Sequence, residues 1–305
     1  MDFWQVSTDR FIVGAHMSIA GGYHRAVERA AALGCDCVQI FTQNNLRWET
    51  RRVSTQEAKL FREALVRHQI VCPLVHANYL INLASPDGQL WRRSIRAFAG
   101  ELRRAAALGI PWVVFHPGAA TDGQLDRALS RVVRALNQTL ETLPPNTQVG
   151  CLIEVTAGQG HALGSDLEQI RFLLAEISRP DRVGVCLDTC HLFAAGYPLA
   201  PASAYEQTTK LLEKTVGLAR IKAIHLNDSR GKLGSRVDRH MHIGRGQLGL
   251  EAFRLIVNDK RFFGIPMYIE TPKEKLQGQD MDQVNMKLLR SLVPPERASA
   301  AALPH

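Results

Sequence analysis

Residues 183–191 read VGVCLDTCH: the apolar run Val183–Leu187 leads without a polar break into Asp188, and His191 follows three positions on. A strand with one wet face alternates apolar and polar side chains. An unbroken apolar run is what a parallel strand buried on both faces requires. The same grammar recurs in Phe11–Ala15 (FIVGA), Cys37–Thr42 (CVQIFT), Ile70–Val75 (IVCPLV), Pro111–Phe115 (PWVVF), Val149–Ile153 (VGCLI), Ile221–Leu226 (IKAIHL) and Ile265–Ile269 (IPMYI). Between these runs, apolar residues recur with a 3.6-residue period. That spacing predicts helices over Gly22–Leu33, Ser54–Arg67, Leu90–Leu108, Asp126–Leu143, Leu167–Ile177, Tyr205–Val216, Leu250–Asn258 and Asp282–Leu292. Ser54 and Glu57 have the spacing of a capping box, and Gly34 and Gly109 stop two helices just before the next strand. Eight βα units in roughly 290 residues match an α/β fold of one domain, a TIM (β/α)8 barrel, better than two doubly wound domains. The barrel is expected over residues 11–293. Residues 1–10 read as an N-terminal extension and 294–305 as a flexible C-terminal tail.

Composition narrows the class. With 46% hydrophobic residues and ordinary glycine and proline counts (23 and 14 of 305), disorder and collagen-like sequence are excluded. No uninterrupted apolar run approaches the ~18 residues of a membrane span. The opening MDFWQVSTDR carries Asp2 and Asp9 and lacks the pattern of a secretory signal. The six cysteines form no CxxC pair, which fits a reducing compartment and a cytoplasmic protein. A net charge of +8 favours polyanionic partners, and no block of five like charges concentrates it in a tail.

The chemistry lies where the strands end. His76, His116, Glu154 and Asp188 follow strands three to six, His225 lies near the end of the seventh, and Glu270 follows the eighth. A TIM barrel carries its active site on the rim that these ends form. His191, Asp238 and His240 stand in the loops just beyond. Four carboxylates brought together repel and desolvate at high cost unless cations neutralise them. Imidazole with carboxylate suits Zn²⁺, Mn²⁺ or Fe²⁺, and nine ligands exceed the needs of one ion. Cys186 and Cys190 bracket Asp188 as weaker candidates, with Cys186 read as core. His16 is read as a phosphate contact or a residue behind the ligands. His242 is a minor ligand candidate, and His24, His68, His161 and His305 carry no pattern.

Three segments, HANYLINLA (His76–Ala84), GVCLDTCH (Gly184–His191) and HLNDSRGKLGSRVDRH (His225–His240), resemble the signatures of the endonuclease IV family of apurinic/apyrimidinic endonucleases. GAHMSIAGG (Gly14–Gly22), FHPG (Phe115–Gly118), TAGQG (Thr156–Gly160) and FAAGY (Phe193–Tyr197) do so too, and the likeness runs from Phe11 to Leu292. The resemblance implies a xylose-isomerase-like barrel with three zinc ions. Mn²⁺ or Fe²⁺ is an alternative occupant at one or more positions. His76, His116 and Glu154 would hold the first ion. Glu154 would bridge to a second, completed by Asp188, His225 and Glu270, and His191, Asp238 and His240 would hold the third. Glu154, Asp188 and Glu270 would carry the catalysis. The implied activity is DNA repair, namely hydrolysis 5′ to abasic sites in double-stranded DNA, leaving a 3′-hydroxyl, together with cleaning of blocked 3′ ends.

Tyr79 and Leu80 match positions that the family inserts into the minor groove. A wedge of this kind costs least where the base is already missing. Arg47, Arg230, Arg236 and Arg239 are the expected phosphate contacts, with Lys232 and Arg245 beside them. Two positions depart from the family pattern: Leu46 stands where an arginine is frequent, and Val155 where asparagine is typical. Two other readings compete. A sugar isomerase or epimerase on a related barrel would not need His191, Asp238 and His240, and a non-catalytic DNA-binding scaffold would tolerate lost ligands. A monomer is expected, since the mouth must accept a bent duplex.

Overall fold

The computed structural model describes Trp4 and residues 10–48, 51–144 and 147–298. Its core is a closed parallel barrel of β1 (Val13–Met17), β2 (Cys37–Phe41), β3 (Val71–His76), β4 (Trp112–Phe115), β5 (Gly150–Glu154), β6 (Val183–Asp188), β7 (Ile221–His225) and a strand formed by Met267–Ile269. Two small antiparallel hairpins interrupt the alternation. β8 (Asp228–Ser229) pairs with β9 (His240–Met241). After the last barrel strand, which is β10, come β11 (Lys275–Leu276) and β12 (Gln279–Asp280). Outside the strands pack α1 (Tyr23–Ala32), α2 (Thr55–Arg67), α3 (Gly88–Leu108), α4 (Leu125–Glu141) and α5 (Leu167–Glu176). After them come α6 (Thr189–Ala195), α7 (Ala202–Thr215), α8 (Leu250–Asn258), α9 (Met281–Ser291) and α10 (Pro295–Ala298).

Side chains on a strand alternate between the barrel lumen and the helical layer. Leu74, Val114, Leu152, Cys186, Ala223 and Tyr268 share one buried cluster, the middle layer of the lumen. Two residues further along each of these six chains stand His76, His116, Glu154, Asp188, His225 and Glu270. The pleat therefore aims all six into the mouth. Below them the lumen is tight: a Cβ on Gly14 would lie 1.8 Å from the Cys37 carbonyl oxygen. The Tyr268 hydroxyl crosses the lumen to donate to the Cys72 carbonyl at 2.6 Å.

Expected and observed elements agree in number and order for all eight barrel strands. Their edges shift by at most two residues, so His16 lies within β1 and Glu154 and Asp188 are the last residues of β5 and β6. The Ser54–Glu57 capping box is present, and Gly109 caps α3 with φ 80°. Helix α6 was not foreseen. The Asp188 carboxylate caps it by accepting from the His191 N–H at 2.8 Å, and Gly196 ends it with φ 107°.

The segment from 294 begins with α10, whose Arg297 donates to the Val257 carbonyl at 3.1 Å and lies 3.4 Å over the Phe263 ring. Within the expected N-terminal extension, the Trp4 indole donates to the Pro73 carbonyl at 3.3 Å, and Arg10 pairs with Asp36 at 2.5 Å. The other positions of that extension, 1–3 and 5–9, and residues 299–305 of the expected tail lie outside the described residues. Among the described residues no helix is long and apolar enough to cross a membrane.

Candidate metal centre

The nine side chains expected at the rim come together. His76, His116 and Glu154 form one group of potential ligand atoms; Glu154, Asp188, His225 and Glu270 form a second; His191, Asp238 and His240 form a third. Glu154, fully buried, is the hinge between the first two. Its Oε2 lies 3.1 Å from His76 Nε2 and 3.1 Å from His116 Nε2, while its Oε1 lies 3.1 Å from His225 Nδ1. Ligands about 2.0–2.1 Å from a tetrahedral ion stand roughly 3.3–3.4 Å apart. His225 Nδ1 to Glu270 Oε2 (3.3 Å) and His191 Nε2 to Asp238 Oδ1 (3.2 Å) have that spacing too.

The imidazoles are turned correctly for ligation. His76 Nδ1 faces the Ala77 carbonyl at 2.8 Å, His191 Nδ1 the Val155 carbonyl at 3.0 Å, and His240 Nδ1 the Glu270 carbonyl at 3.2 Å. A carbonyl only accepts, so each of these nitrogens holds the ring proton and Nε2 is left with its lone pair. His225 is turned the other way, Nε2 donating to Gln39 Oε1 at 2.8 Å and Nδ1 facing the carboxylates. The Nε2 atoms of His191 and His240 are buried without any hydrogen-bond partner. Two orphaned lone pairs beside carboxylates are a costly arrangement for a protein and a good one for a cation.

The electrostatics agree. Burial alone would raise the Glu154 carboxyl, yet the His116 and His225 imidazoles hold it well below the usual range. Burial opposes ionisation of Asp238 as well, and the adjacent His191 imidazole brings it down to about 2. Conversely, Asp188, Asp238 and Glu154 around His191, and Cys186, Glu270 and Glu154 around His225, overcome burial and raise both imidazoles well above their ordinary value. The site is thus an assembly of ionised carboxylates that recruits positive charge. Cys190 comes within reach of Asp188 and His240, and Cys186 lies in the lumen layer below; burial pushes both thiols up to about 12.

A profile of the xylose isomerase-like TIM barrel family matches residues 27–292. The chain is 48% identical to a probable endonuclease 4 of Chloroflexus aurantiacus over 92% of its own length and 97% of the relative's. It is 45% identical to a probable endonuclease 4 of a Geobacter species over 92% and 99%. The chain belongs to the endonuclease IV family. The crystal structure of endonuclease IV from Thermus thermophilus superposes with a TM-score of 0.79 at 35% identity, covering 92% of this chain and 98% of that one. A D-tagatose 3-epimerase-like protein shares the barrel at a TM-score of 0.67 and 18% identity, a likeness of fold alone. As a member of the endonuclease IV family the chain is a metal-dependent endonuclease, and the isomerase and scaffold readings fall away.

Three residues behind the ligands were missed or underrated in the sequence. Gln39 donates to Glu270 Oε1 at 2.5 Å and accepts from His225, so it fixes two ligands of the second group. Its signal was a lone amide two residues after Cys37 in an otherwise apolar strand. Asn227, fully buried, donates to Asp188 Oδ2 at 2.7 Å and accepts the Glu270 N–H at 2.7 Å. Gln159 accepts from the Asp238 N–H at 3.0 Å. His16, a candidate from the outset, sits 3.0 Å from Gln39 and 3.7 Å from Glu270. His242 is no member of the three groups; it is buried against Glu274 at 2.8 Å and Asn285 at 3.1 Å.

Of the residues expected to touch DNA, Tyr79 and Arg239 lie beside the ligand residues His76, His116, His191, Asp238 and His240. Tyr79 is exposed, with its ring 5.3 Å from that of His76 and 6.1 Å from that of His116. Asn78 shapes this loop by accepting from the Leu80 N–H at 2.8 Å. Its amide donates to the Arg47 carbonyl at 2.8 Å, tying the Tyr79–Leu80 loop to the β2–α2 loop. Leu46 is 71% exposed, which leaves it free to enter a gap in a partner. Val155 packs its side chain into the outer core and uses only its carbonyl toward His191, so this departure costs the cluster nothing visible. Arg230, Arg236 and Arg239 are exposed on the loop around the β8–β9 hairpin.

Proposed function

We propose that this member of the endonuclease IV family is an apurinic/apyrimidinic endonuclease of DNA repair that works on three divalent ions, zinc foremost. It hydrolyses the phosphodiester 5′ to abasic sites in double-stranded DNA and leaves a 3′-hydroxyl. Phosphodiesterase or phosphatase action on blocked 3′ ends follows from the same chemistry. The observation that carries the reading is Glu154, whose two oxygens face two different ligand groups while a third group adjoins them. His76, His116 and Glu154 would hold the first ion; Glu154, Asp188, His225 and Glu270 the second; His191, Asp238 and His240 the third. Ions bound there supply Lewis acidity toward a phosphate oxygen and a water acidic enough to attack near neutral pH.

The chain's own residues do the rest. Four carboxylates would repel a phosphodiester, and three divalent charges turn the rim from −4 to about +2. Once those four are set aside, 37 basic residues face 25 acidic ones, so the remainder of the chain carries +12 toward a polyanion. Arg230, Arg236 and Arg239, with Arg47 on the opposite loop, hold phosphates and set the register of the duplex. Tyr79 and Leu80 press into the minor groove at the lesion, where unstacking costs least. Leu46 fills part of the gap with apolar surface where relatives would use a cation. A monomer acting in the cytoplasm fits this reading.

A 30-bp duplex with one tetrahydrofuran abasic analogue, incubated with the protein before and after chelation and zinc restoration, tests it. Nicking 5′ to the analogue that disappears on chelation and returns with zinc is the expected result. Equal nicking of an intact duplex, or activity indifferent to chelator, would overturn the proposal.

A further inference from the structure

Helix α3 carries five arginines, Arg92, Arg93, Arg96, Arg103 and Arg104, and a single acid, Glu101. That acid is buried and pairs with the equally buried Arg104 at 2.9 Å. The other four arginines are exposed, and among the described residues Arg92, Arg96 and Arg103 form no ion pair. An ordinary solvated helix interleaves both signs along its surface. This one presents only guanidinium, at spacings of four and seven residues that share one face. Asp87, at the helix start, is occupied in capping its own backbone at Gln89 and Leu90.

The ridge joins the proposed DNA face. The Arg93 guanidinium stacks 4.5 Å over the Trp48 ring, and Arg51 and Arg52 line the same groove beside Trp48. Trp48 follows Arg47, whose carbonyl is tied through Asn78 to the Tyr79–Leu80 loop. A continuous basic path therefore runs from the lesion wedge down the outside of the barrel. From Arg92 to Arg103 the helix rises about 16 Å, which matches about five phosphates at roughly 3.4 Å each along one strand. Guanidinium, planar and forked, suits phosphate oxygens better than ammonium does.

We propose that the outer face of α3 is a second phosphate-binding ridge that holds one arm of the duplex beyond the lesion. The inference rests on the reading of the chain as a duplex-DNA enzyme. It adds a footprint outside the barrel mouth, independent of lesion and of metal.

Binding is measured on duplexes carrying one tetrahydrofuran site: 12 bp and 30 bp with the site central, and two of 21 bp with only one long arm. Wild-type protein is expected to bind the 30-bp duplex more tightly than the 12-bp one, and only one of the two asymmetric duplexes should keep the gain. R92Q/R93Q/R96Q/R103Q should lose that gain, at least about tenfold at 50 mM salt, and lower the slope of log affinity against log salt by about 3–4. R92Q/R96Q/R103Q, which keeps the Arg93–Trp48 stack, should lose most of it. Three outcomes would overturn the ridge: a quadruple variant with wild-type affinity and slope on 30 bp, an equal loss on 12 bp, or equal gains from both arms. Failure of the wild type to nick would instead refute the proposed activity, which the binding series does not read.

Discussion

Replacing Glu154 by glutamine tests the centre at its most constrained point. The carboxylate faces His76 and His116 through one oxygen and His225 through the other, each at 3.1 Å, with His191 Nδ1 3.3 Å from the latter oxygen. An amide of the same shape must turn an NH2 toward one of these sets. Placed toward His76, whose Nδ1 proton is committed to the Ala77 carbonyl, it donates to the Nε2 lone pair and removes it from ligation. The first two ligand groups are then closed by hydrogen bonds, while His191, Asp238 and His240 are untouched. Bound zinc should fall from three ions per chain to about one. Each ion held at a free concentration a thousandfold above its Kd stabilises the fold by about 4 kcal/mol. Losing two withholds about 8 kcal/mol of zinc-dependent stability, worth more than about 10 °C in a chain of this size. Zinc should therefore raise the melting temperature of the wild type far more than that of E154Q. Without metal E154Q forfeits the pairing of this buried carboxylate with the His116 and His225 imidazoles, so it should be no more stable than the metal-free wild type. Turnover should drop by about 10² or more. A variant that keeps three zinc ions per chain and more than roughly a tenth of wild-type nicking would refute the bridging role.

Three further expectations follow from other parts of the rim and from the far side of the barrel. Tyr79→Ala with Leu80→Ala should weaken binding to abasic duplex far more than to intact duplex, since the arginine contacts set the sequence-independent term; equal losses measured by titration of both duplexes would rule out the wedge. Leu46→Arg should change low-salt affinity for abasic DNA modestly and steepen its salt dependence, because a cation is screened and an apolar contact is not. If Leu46→Arg leaves the salt slope unchanged and Arg47→Ala flattens it, Arg47 already supplies the charge. Away from the site, Asp259 accepts from the Tyr205 hydroxyl at 2.6 Å and pairs with Arg261 at 2.7 Å. Burial opposes its ionisation, but these partners lower its pKa, so the stability it contributes is present above the unfolded value near 3.9 and lost as pH falls through the folded one. Asp259→Asn should cost about 1–3 kcal/mol in chemical denaturation at neutral pH, shrinking toward zero in strong acid; a cost independent of pH would show that the charge is not what matters.

How far the sequence was readable follows from the geometry of a parallel strand. Runs such as VGVCL and PWVVF are unbroken because the lumen and the helices cover both faces, so the barrel could be counted before any coordinate was known. The ligands were legible for a related reason: a polar residue in register with the lumen, two places beyond Cys186 or Val114, stands out where the apolar run stops. Gln39 obeys the same register, but it lies inside a run rather than at its end, and its partners His225 and Glu270 come from chain segments 186 and 231 residues away. Asn227 was masked by its neighbours in HLND, since only the closing of β7 beside β6 brings it to Asp188. Helix α6 escaped because its seven residues carry too little periodicity, and its cap is a side chain assigned to the metal. The α3 arginines were visible as letters, yet a helical face acquires direction only when Trp48 and Asn78 connect it to the mouth.

The distribution of charge gives these pieces one physical logic. The protein is basic overall, but it gathers four carboxylates at the mouth through which a polyanion must pass, and imidazoles that are themselves drawn toward protonation hold Glu154, Asp238 and Glu270 below the usual carboxylate range. Without cations the rim opposes the approach of the phosphate that the surrounding arginines attract. Loading reverses the sign of the rim while leaving the arginines unchanged, so duplex association splits into two contributions with different origins. The arginine contribution persists without metal and weakens with salt. The rim contribution exists only when the ligand groups are filled, and linkage makes it reciprocal: a phosphodiester seated over the groups must tighten the ions by the same factor by which the ions tighten it. On the proposed function, a site built this way would bind intact DNA through its surface and commit only where a flexible, gapped duplex lets a phosphate descend to the rim.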